Sequence, residues 1–297
     1  MPLRLALCTS LTLALLAAPA GADAADVVTP SSVAASTTVP EGGARTLTLR
    51  CPGAAVALNA AVTRRGDGVD VVRSSPGVTA GDWRFRLAAS SGPTARQRRV
   101  HAVLRCVSLA LPSGVSGARL TVSTRRPPAV RVAPGSPADL RVRCPRGFIS
   151  TGYGLAPTSF RDLTVAAAVP SARGWDFTIE SLGGPPATTR AAVRCLKRTV
   201  SARRDGRTTQ LRFAITRRVF SDAVGRRPGS SGALTHSCGA TPFSIATGHA
   251  LDPLDDIVIG DGGPAGPRTG RWTFRAASSD DVTTSYLVCL KRHTQFG

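Results

Sequence analysis

Four arginines stand directly before evenly placed cysteines: Arg50, Arg105, Arg143 and Arg194 precede Cys51, Cys106, Cys144 and Cys195. A guanidinium is planar, always charged and able to fork onto two oxygens, so a row of them is chemistry for phosphate or carboxylate groups. Neighbouring side chains on a strand point to opposite faces. If the cysteines are buried, these arginines are expected to face outward, joined by Arg84, Arg86 and Arg141 at nearby positions. The third unit has Ser237 and Val288 in the corresponding places and is expected to bind anions less.

Other chemistry is thin. His101, His236, His249 and His293 are scattered, lack the His-Glu-x-x-His spacing of a zinc site, and are expected to be solvated surface residues. No Gly-x-Ser-x-Gly elbow occurs. The cysteines offer no Cys-x-x-Cys pair for a metal. Asp252, Asp255, Asp256 and Asp261 lead into Gly262-Gly263 and supply oxygen ligands of the kind calcium takes. Their spacing does not fit an EF-hand, and a solvated loop is the simpler expectation. Arg65-Gly66-Asp67, inside Arg64 to Gly68, reads as a tight turn. No cofactor, metal site or catalytic residue is expected, and the chain is read as a non-enzyme.

The elements that position the arginines follow from an internal repeat. Cysteine, tryptophan and cysteine recur in one order: Cys51, Trp83, Cys106; Cys144, Trp175, Cys195; Cys238, Trp272, Cys289. The first cysteines are 93 and 94 residues apart, the tryptophans 92 and 97, the second cysteines 89 and 94. Trp83-Arg84-Phe85, Trp175-Asp176-Phe177 and Trp272-Thr273-Phe274 share a Trp-x-Phe core. Little chain remains beyond Cys289, so each unit is expected to gain its opening strand ahead of its first cysteine. Asp26–Thr29, Leu120–Ser123 and Leu211–Ile215 supply it, giving units 26–116, 117–208 and 209–297.

Period-two alternation marks half-buried strands. Leu47, Leu49 and Cys51 oppose Thr46, Thr48 and Arg50; Trp83, Phe85 and Leu87 oppose Arg84 and Arg86. Helical periodicity is weak, and 30 Gly and 22 Pro interrupt most windows. The expected fold is all-β: three tandem small β-sandwich or partly closed barrel domains with one disulfide each. One pair per repeat selects Cys51–Cys106, Cys144–Cys195 and Cys238–Cys289. An immunoglobulin domain is not expected, because there the tryptophan follows the first cysteine closely and a further strand follows the second.

Residues 1–24 read as a signal peptide: Arg4, an apolar run from Leu5 to Ala18, then small residues up to Ala24, with Cys8 lost on cleavage. The expected product is soluble, secreted or extracytoplasmic, without a transmembrane anchor. Its formal net charge of +20 is unchanged by cleavage, since Arg4 and Asp23 leave together. Only Lys197 and Lys291 among 38 basic residues are lysine, a bias of high-GC coding. A field of this sign draws anionic polymers or phospholipid surfaces. Nucleic acid is disfavoured because only 5% of residues are aromatic and few are free to stack on bases.

Cys144, Pro145 and Gly147, Ser74 to Pro76 ahead of Trp83, Gly174 with Trp175, and Val193 to Cys195 carry a resemblance. At these positions the chain resembles the uncharacterised secreted Cys-Pro-x-Gly/Trp/Cys repeat proteins of high-GC bacteria. The third unit departs from that pattern, with Gly239 in place of the proline and Gly262-Gly263-Pro264 in place of the serine motif. The resemblance implies a compartment and an architecture, and it transfers no active site. The expected function is a non-catalytic exported repeat protein that associates with the cell envelope or an anionic extracellular ligand through its arginine faces. The alternatives are a secreted hydrolase or inhibitor with a site between units, and a subunit of a surface assembly with a protein partner.

Overall fold

A computed structural model describes residues 28–65, 68–90, 98–111, 113–157, 163–181, 183–204, 206–223, 231–239, 243–251, 257–276 and 282–291. The expected signal peptide, residues 1–24, lies outside them. The described residues contain strands and turns and no helix.

The first segment holds β1 (Val28–Thr38), β2 (Ala44–Arg50), β3 (Val56–Arg65), β4 (Val69–Pro76), β5 (Asp82–Ala89) and β6 (Arg99–Leu109). After the short β7 (Val115–Ser116), the second holds β8 (Val122–Arg125), β9 (Val130–Val132), β10 (Ala138–Arg143) and β11 (Phe148–Leu155). It continues with β12 (Leu163–Ser171), β13 (Gly174–Ser181), β14 (Ala187–Thr189) and β15 (Ala191–Lys197). A hairpin of β16 (Thr199–Arg204) and β17 (Arg207–Arg212) leads to the third segment. That segment holds β18 (Ala214–Ala223), β19 (Ser231–Ser237), β20 (Phe243–Leu251), β21 (Ile257–Pro264), β22 (Thr269–Ala276) and β23 (Val282–Lys291).

One topology occurs three times. A three-stranded antiparallel sheet β1-β6-β3 faces a second, β2-β5-β4; the second segment repeats this as β8-β15-β11 and β10-β13-β12. The third repeats it as β18-β23-β20 and β19-β22-β21. Alternation sets the register. Leu47 lies opposite Phe85 and Leu49 opposite Trp83 on the buried side of the first segment, as Leu140 opposes Phe177 and Val142 opposes Trp175 in the second. A one-residue slip would turn every one of these side chains to the other face. All three tryptophans are fully buried.

The disulfides Cys51–Cys106, Cys144–Cys195 and Cys238–Cys289 each tie the end of the second strand to the last strand, and so join the two sheets of one segment. They close loops with sequence separations of 55, 51 and 51 residues. Closure of this length stabilises by about 4 kcal/mol in the chain-entropy model. The opening strands differ from expectation in place. β1 and β8 start near the sequences named for them, whereas Leu211 belongs to the β16–β17 hairpin and the third segment opens with β18. The hairpin also pairs with β7, so the two connecting stretches form a small sheet of their own and position 209 falls inside it.

The three sandwiches are not beads on a string. The third strand of each segment lies against the fourth strand of the segment before it: β11 on β4, β20 on β12 and β3 on β21. These contacts close a ring in which β3, β11 and β20 also touch one another. At the second seam β12 and β20 pair directly, so two sheets fuse into one of six strands, β10-β13-β12-β20-β23-β18. Each third strand carries a bulge at the same point, opposite the second cysteine and the residue before it, leaving Leu58, Thr151 and Ile245 as the extra residues. All three are fully buried, and the Thr151 hydroxyl donates to the carbonyl of Leu58, so one bulge is tied to another across a seam.

Such close approach demands small residues. A methyl group on Gly154 would overlap the carbonyl oxygen of Ser74, and one on Gly248 would overlap that of Ala168. These two glycines occupy equivalent positions on β11 and β20. At the third seam the position is Ala61 on β3, and the glycine has moved to the partner, where a methyl on Gly263 would overlap the Ala61 methyl. Replacing Gly154 or Gly248 with alanine is expected to destabilise the chain by about 1–3 kcal/mol through overpacking, read as a lowered midpoint in thermal denaturation.

Candidate functional site

The exposed arginines of the first segment lie on the outer face of β2-β5-β4. Arg86 has Thr46 on one side and Arg73 on the other as cross-strand neighbours, and Arg84 lies between Thr48 and Ser75. Arg50 is exposed at the end of the face and opposes Asp82, whose carboxylate lies 3.5 Å from its Nε. Arg73, Arg84 and Arg86 are exposed and form no ion pair among the described residues. Like charges placed opposite one another on a sheet repel, so the Arg73–Arg86 row is a local cost that a bound anion would relieve.

The corresponding face of the second segment is different. Arg141 and Arg143 are exposed on β10 as expected, but β13 answers them with Asp176, Thr178 and Glu180. Arg143 Nη2 lies 2.6 Å from the Asp176 carboxylate, and the Thr178 hydroxyl donates to Asp139 at 2.9 Å. This face is internally neutralised. In the third segment Arg271 is exposed on β22 opposite Thr235.

Two of the expected surface arginines are not on the surface. Arg105 and Arg194 are 2% and 3% exposed. The parity argument holds, since each points away from its own disulfide, but the outer face of β1-β6-β3 and of β8-β15-β11 is a seam rather than solvent. Arg105 donates to the Ser32 hydroxyl and to the carbonyl of Gly266 in the third segment, and lies over the ring of Phe243 at 5.0 Å. Arg194 Nη2 donates to the carbonyl of Asp82 in the first segment at 3.2 Å. Both acceptors lie at the junction between the fourth and fifth strands of the neighbour. Burial pulls both guanidinium pKa values down to about 10, Arg194 being lowered further by nearby Arg126 and raised by Asp82, so both stay charged at neutral pH.

The third segment keeps this device by a swap. Arg105 opposes Ser32, and Arg194 opposes Thr124; at the same cross-strand position Val288 opposes Arg217. The arginine has moved from the last strand to the first, and Arg217 Nη1 donates to the carbonyl of Pro170 in the second segment at 3.0 Å. Arg126, just beyond β8, makes the equivalent bond to Pro76 at 3.0 Å. Pro76 and Pro170 both lie opposite the tryptophan of their segment.

No protein-family model matches this chain, and no curated protein is detectably similar to it.

The histidines are less exposed than expected. His101 is half-buried, with Nδ1 2.6 Å from the Ser36 hydroxyl. His236 is half-buried, stacked on Phe220 at 3.8 Å and 5.4 Å from Trp272. His249 is buried in the seam between the second and third segments, where Nε2 donates to the carbonyl of Val165 at 2.8 Å. Burial holds its pKa below the ordinary value, outweighing that hydrogen bond. His293 lies outside the described residues, as do Asp252, Asp255, Asp256, Gly66 and Asp67, and the side chains of Arg64, Arg65 and Asp261 are likewise not described. Among the described residues no three His, Cys, Asp or Glu side chains come together as a metal site would require.

Replacing Arg105 or Arg194 with alanine removes a hydrogen bond from a charged donor across a seam and is expected to cost about 1.5–3 kcal/mol, whereas Arg84→Ala or Arg86→Ala should stay within about 0.5 kcal/mol; urea denaturation midpoints separate the two classes. Because the His249 pKa is lowered by folding, the unfolded chain takes up its proton first as pH falls. Stability from this group is full above its unfolded value near 6.5 and is lost as pH drops from there toward the folded value. His249→Gln should flatten the pH dependence of the melting temperature below about pH 7.

Proposed function

We propose that the chain is a non-catalytic exported protein that binds an anionic polymer of the cell envelope through the outer face of β2-β5-β4. The observation that carries this reading is the row of Arg73 and Arg86, like charges set across two strands beside exposed Arg84, with no ion pair among the described residues. Guanidinium groups at strand spacing fork onto successive phosphates or carboxylates without needing a shaped pocket. Nucleic acid is a poorer candidate, because the three tryptophans that would stack on bases are sealed in the cores.

The export reading draws support from three disulfides, which persist in oxidising compartments. No helix among the described residues is long and apolar enough to cross a membrane. The resemblance to secreted repeat proteins points the same way. The binding surface is smaller than the one expected from sequence, because Arg105 and Arg194 belong to the seams and Arg143 is held by Asp176.

A variant with Arg73, Arg84 and Arg86 changed to serine should elute from an anionic polyphosphate column at lower salt than the parent. The pair Arg141→Ser and Arg143→Ser should elute close to the parent. Equal elution of the triple variant and the parent would remove the face from consideration, and elution of both variants at the same reduced salt would reduce the effect to net charge.

A further inference from the structure

A cleft of about 530 Å³ lies at the seam between the first and second segments, walled by Gly77, Val78 and Ala80 on one side and by Val122, Thr124, Arg126 and Arg194 on the other. Its volume falls within the range of small-molecule sites. We propose that this cleft binds a phosphate monoester, a site separate from the arginine face described above.

Two guanidinium groups line the cleft, Arg194 from β15 and Arg126 from just beyond β8, and neither is used up by the bond it makes. Arg194 is 3% exposed, spends Nη2 on the carbonyl of Asp82, and leaves its buried Nε without a hydrogen-bond partner. Arg126 spends Nη2 on the carbonyl of Pro76. Arg126 lies close enough to Arg194 to lower its pKa, so two like charges bear on each other at the wall of the cleft. The anion closest to Arg194 in its electrostatics is Asp82, whose carboxylate is already engaged by Arg50. Two positive groups therefore line the cleft, and no carboxylate is among its lining residues.

The geometry favours phosphate over carboxylate. Two guanidinium groups carry more N–H donors than the two oxygens of a carboxylate can use, which suits a tetrahedral group with three free oxygens better than a planar one with two. Phosphate alone would fill a small part of the volume, so the remainder, with the apolar stems of Val78 and Val122 and the Thr124 hydroxyl, is room for a small polar organic moiety.

The equivalent guanidinium at the seam between the third and first segments, Arg105, also has a buried Nε without a hydrogen-bond partner among the described residues, but its other nitrogens make two bonds. It bonds both Ser32 and Gly266 and lies over Phe243. At the seam between the second and third segments the position belongs to Val288.

Isothermal titration of the full chain with glycerol 3-phosphate, orthophosphate and acetate tests the proposal. Saturable binding of glycerol 3-phosphate is expected, with weaker orthophosphate and at least tenfold weaker acetate. Arg126→Gln, a change at an exposed residue that leaves the buried Arg194 bond intact, should weaken glycerol 3-phosphate at least fivefold. The Arg73, Arg84 and Arg86 serine variant should bind it as the parent does. Absence of saturable binding by the parent overturns the site, as does equal affinity of the Arg126→Gln variant. If the serine variant loses binding while Arg126→Gln keeps it, the ligand sits on the outer face and the cleft is not its site. Acetate binding as tight as phosphate overturns the assignment to a monoester.

Discussion

A guanidinium reaching out of one sandwich to a backbone carbonyl of the next is the interaction on which this architecture turns. Each segment alone is six strands in two small sheets, and the outer face of one of those sheets meets its neighbour instead of water. The Asp82 and Gly266 carbonyls it meets there already accept a backbone N–H each, and the guanidinium takes a second lone pair of the same oxygen. Arg194 answers the carbonyl of Asp82, Arg105 that of Gly266, and Arg217 that of Pro170. An arginine suits this role because its long stem can lie along apolar surface while its five donors work at a distance, and because its charge survives burial. Arg105 and Arg194 remain cationic with pKa values of about 10.

The ring also explains why small cores suffice. A domain of this size buries a modest share of its chain and needs reinforcement. The disulfides reinforce each sandwich internally, while the seams let adjacent segments share apolar surface. The largest buried cluster shows this, since it runs from Trp175 and Phe177 of the second segment to Leu58 of the first and Ile245 of the third. Chain order and spatial order coincide until the last step, where β3 of the first segment meets β21 of the third and converts a row into a closed ring. A head-to-tail interface that did not close would expose one unmatched face at each end and invite further copies to add.

Much of the fold was legible in the residues. The spacing of cysteine and tryptophan announced three copies, one-per-copy pairing gave the disulfides, and alternation about Leu49 and Trp83 assigned the inner faces. What alternation cannot tell is where an outer face goes. Arg50 and Arg105 look alike in sequence, each before a cysteine, yet one is exposed on an outer sheet and the other is sealed in a seam. A signal did exist in the third unit. Val288 in place of an arginine reads as a missing binding residue until Arg217 is seen to occupy the partner position across the strand pair. Gly154 and Gly248 carry the same kind of message, because a glycine inside a strand marks a backbone brought close to another. Neither could be decoded without knowing which strands are neighbours. The neutralisation of Arg143 by Asp176 was likewise hidden, since it depends on register between two strands separated by thirty residues of chain.

The division of labour among arginines narrows what the high net charge means. A formal charge of +20 suggests a molecule coated in cations. In the structure, arginines of one coding bias perform three physically distinct tasks. Some, such as Arg105 and Arg217, hold segments together and are directed at carbonyls. Others, such as Arg143, are matched by acids on the same sheet. The remainder, chiefly Arg73, Arg84 and Arg86, stand in water with like charges for neighbours. Like charges also oppose each other at Arg204 and Arg207 in the β16–β17 hairpin, and Arg126 acts on Arg194 at the first seam. The outer faces of the first and second copies thus differ in charge, because carboxylates on the second copy pair with arginines where the first copy has none to match Arg73, Arg84 and Arg86.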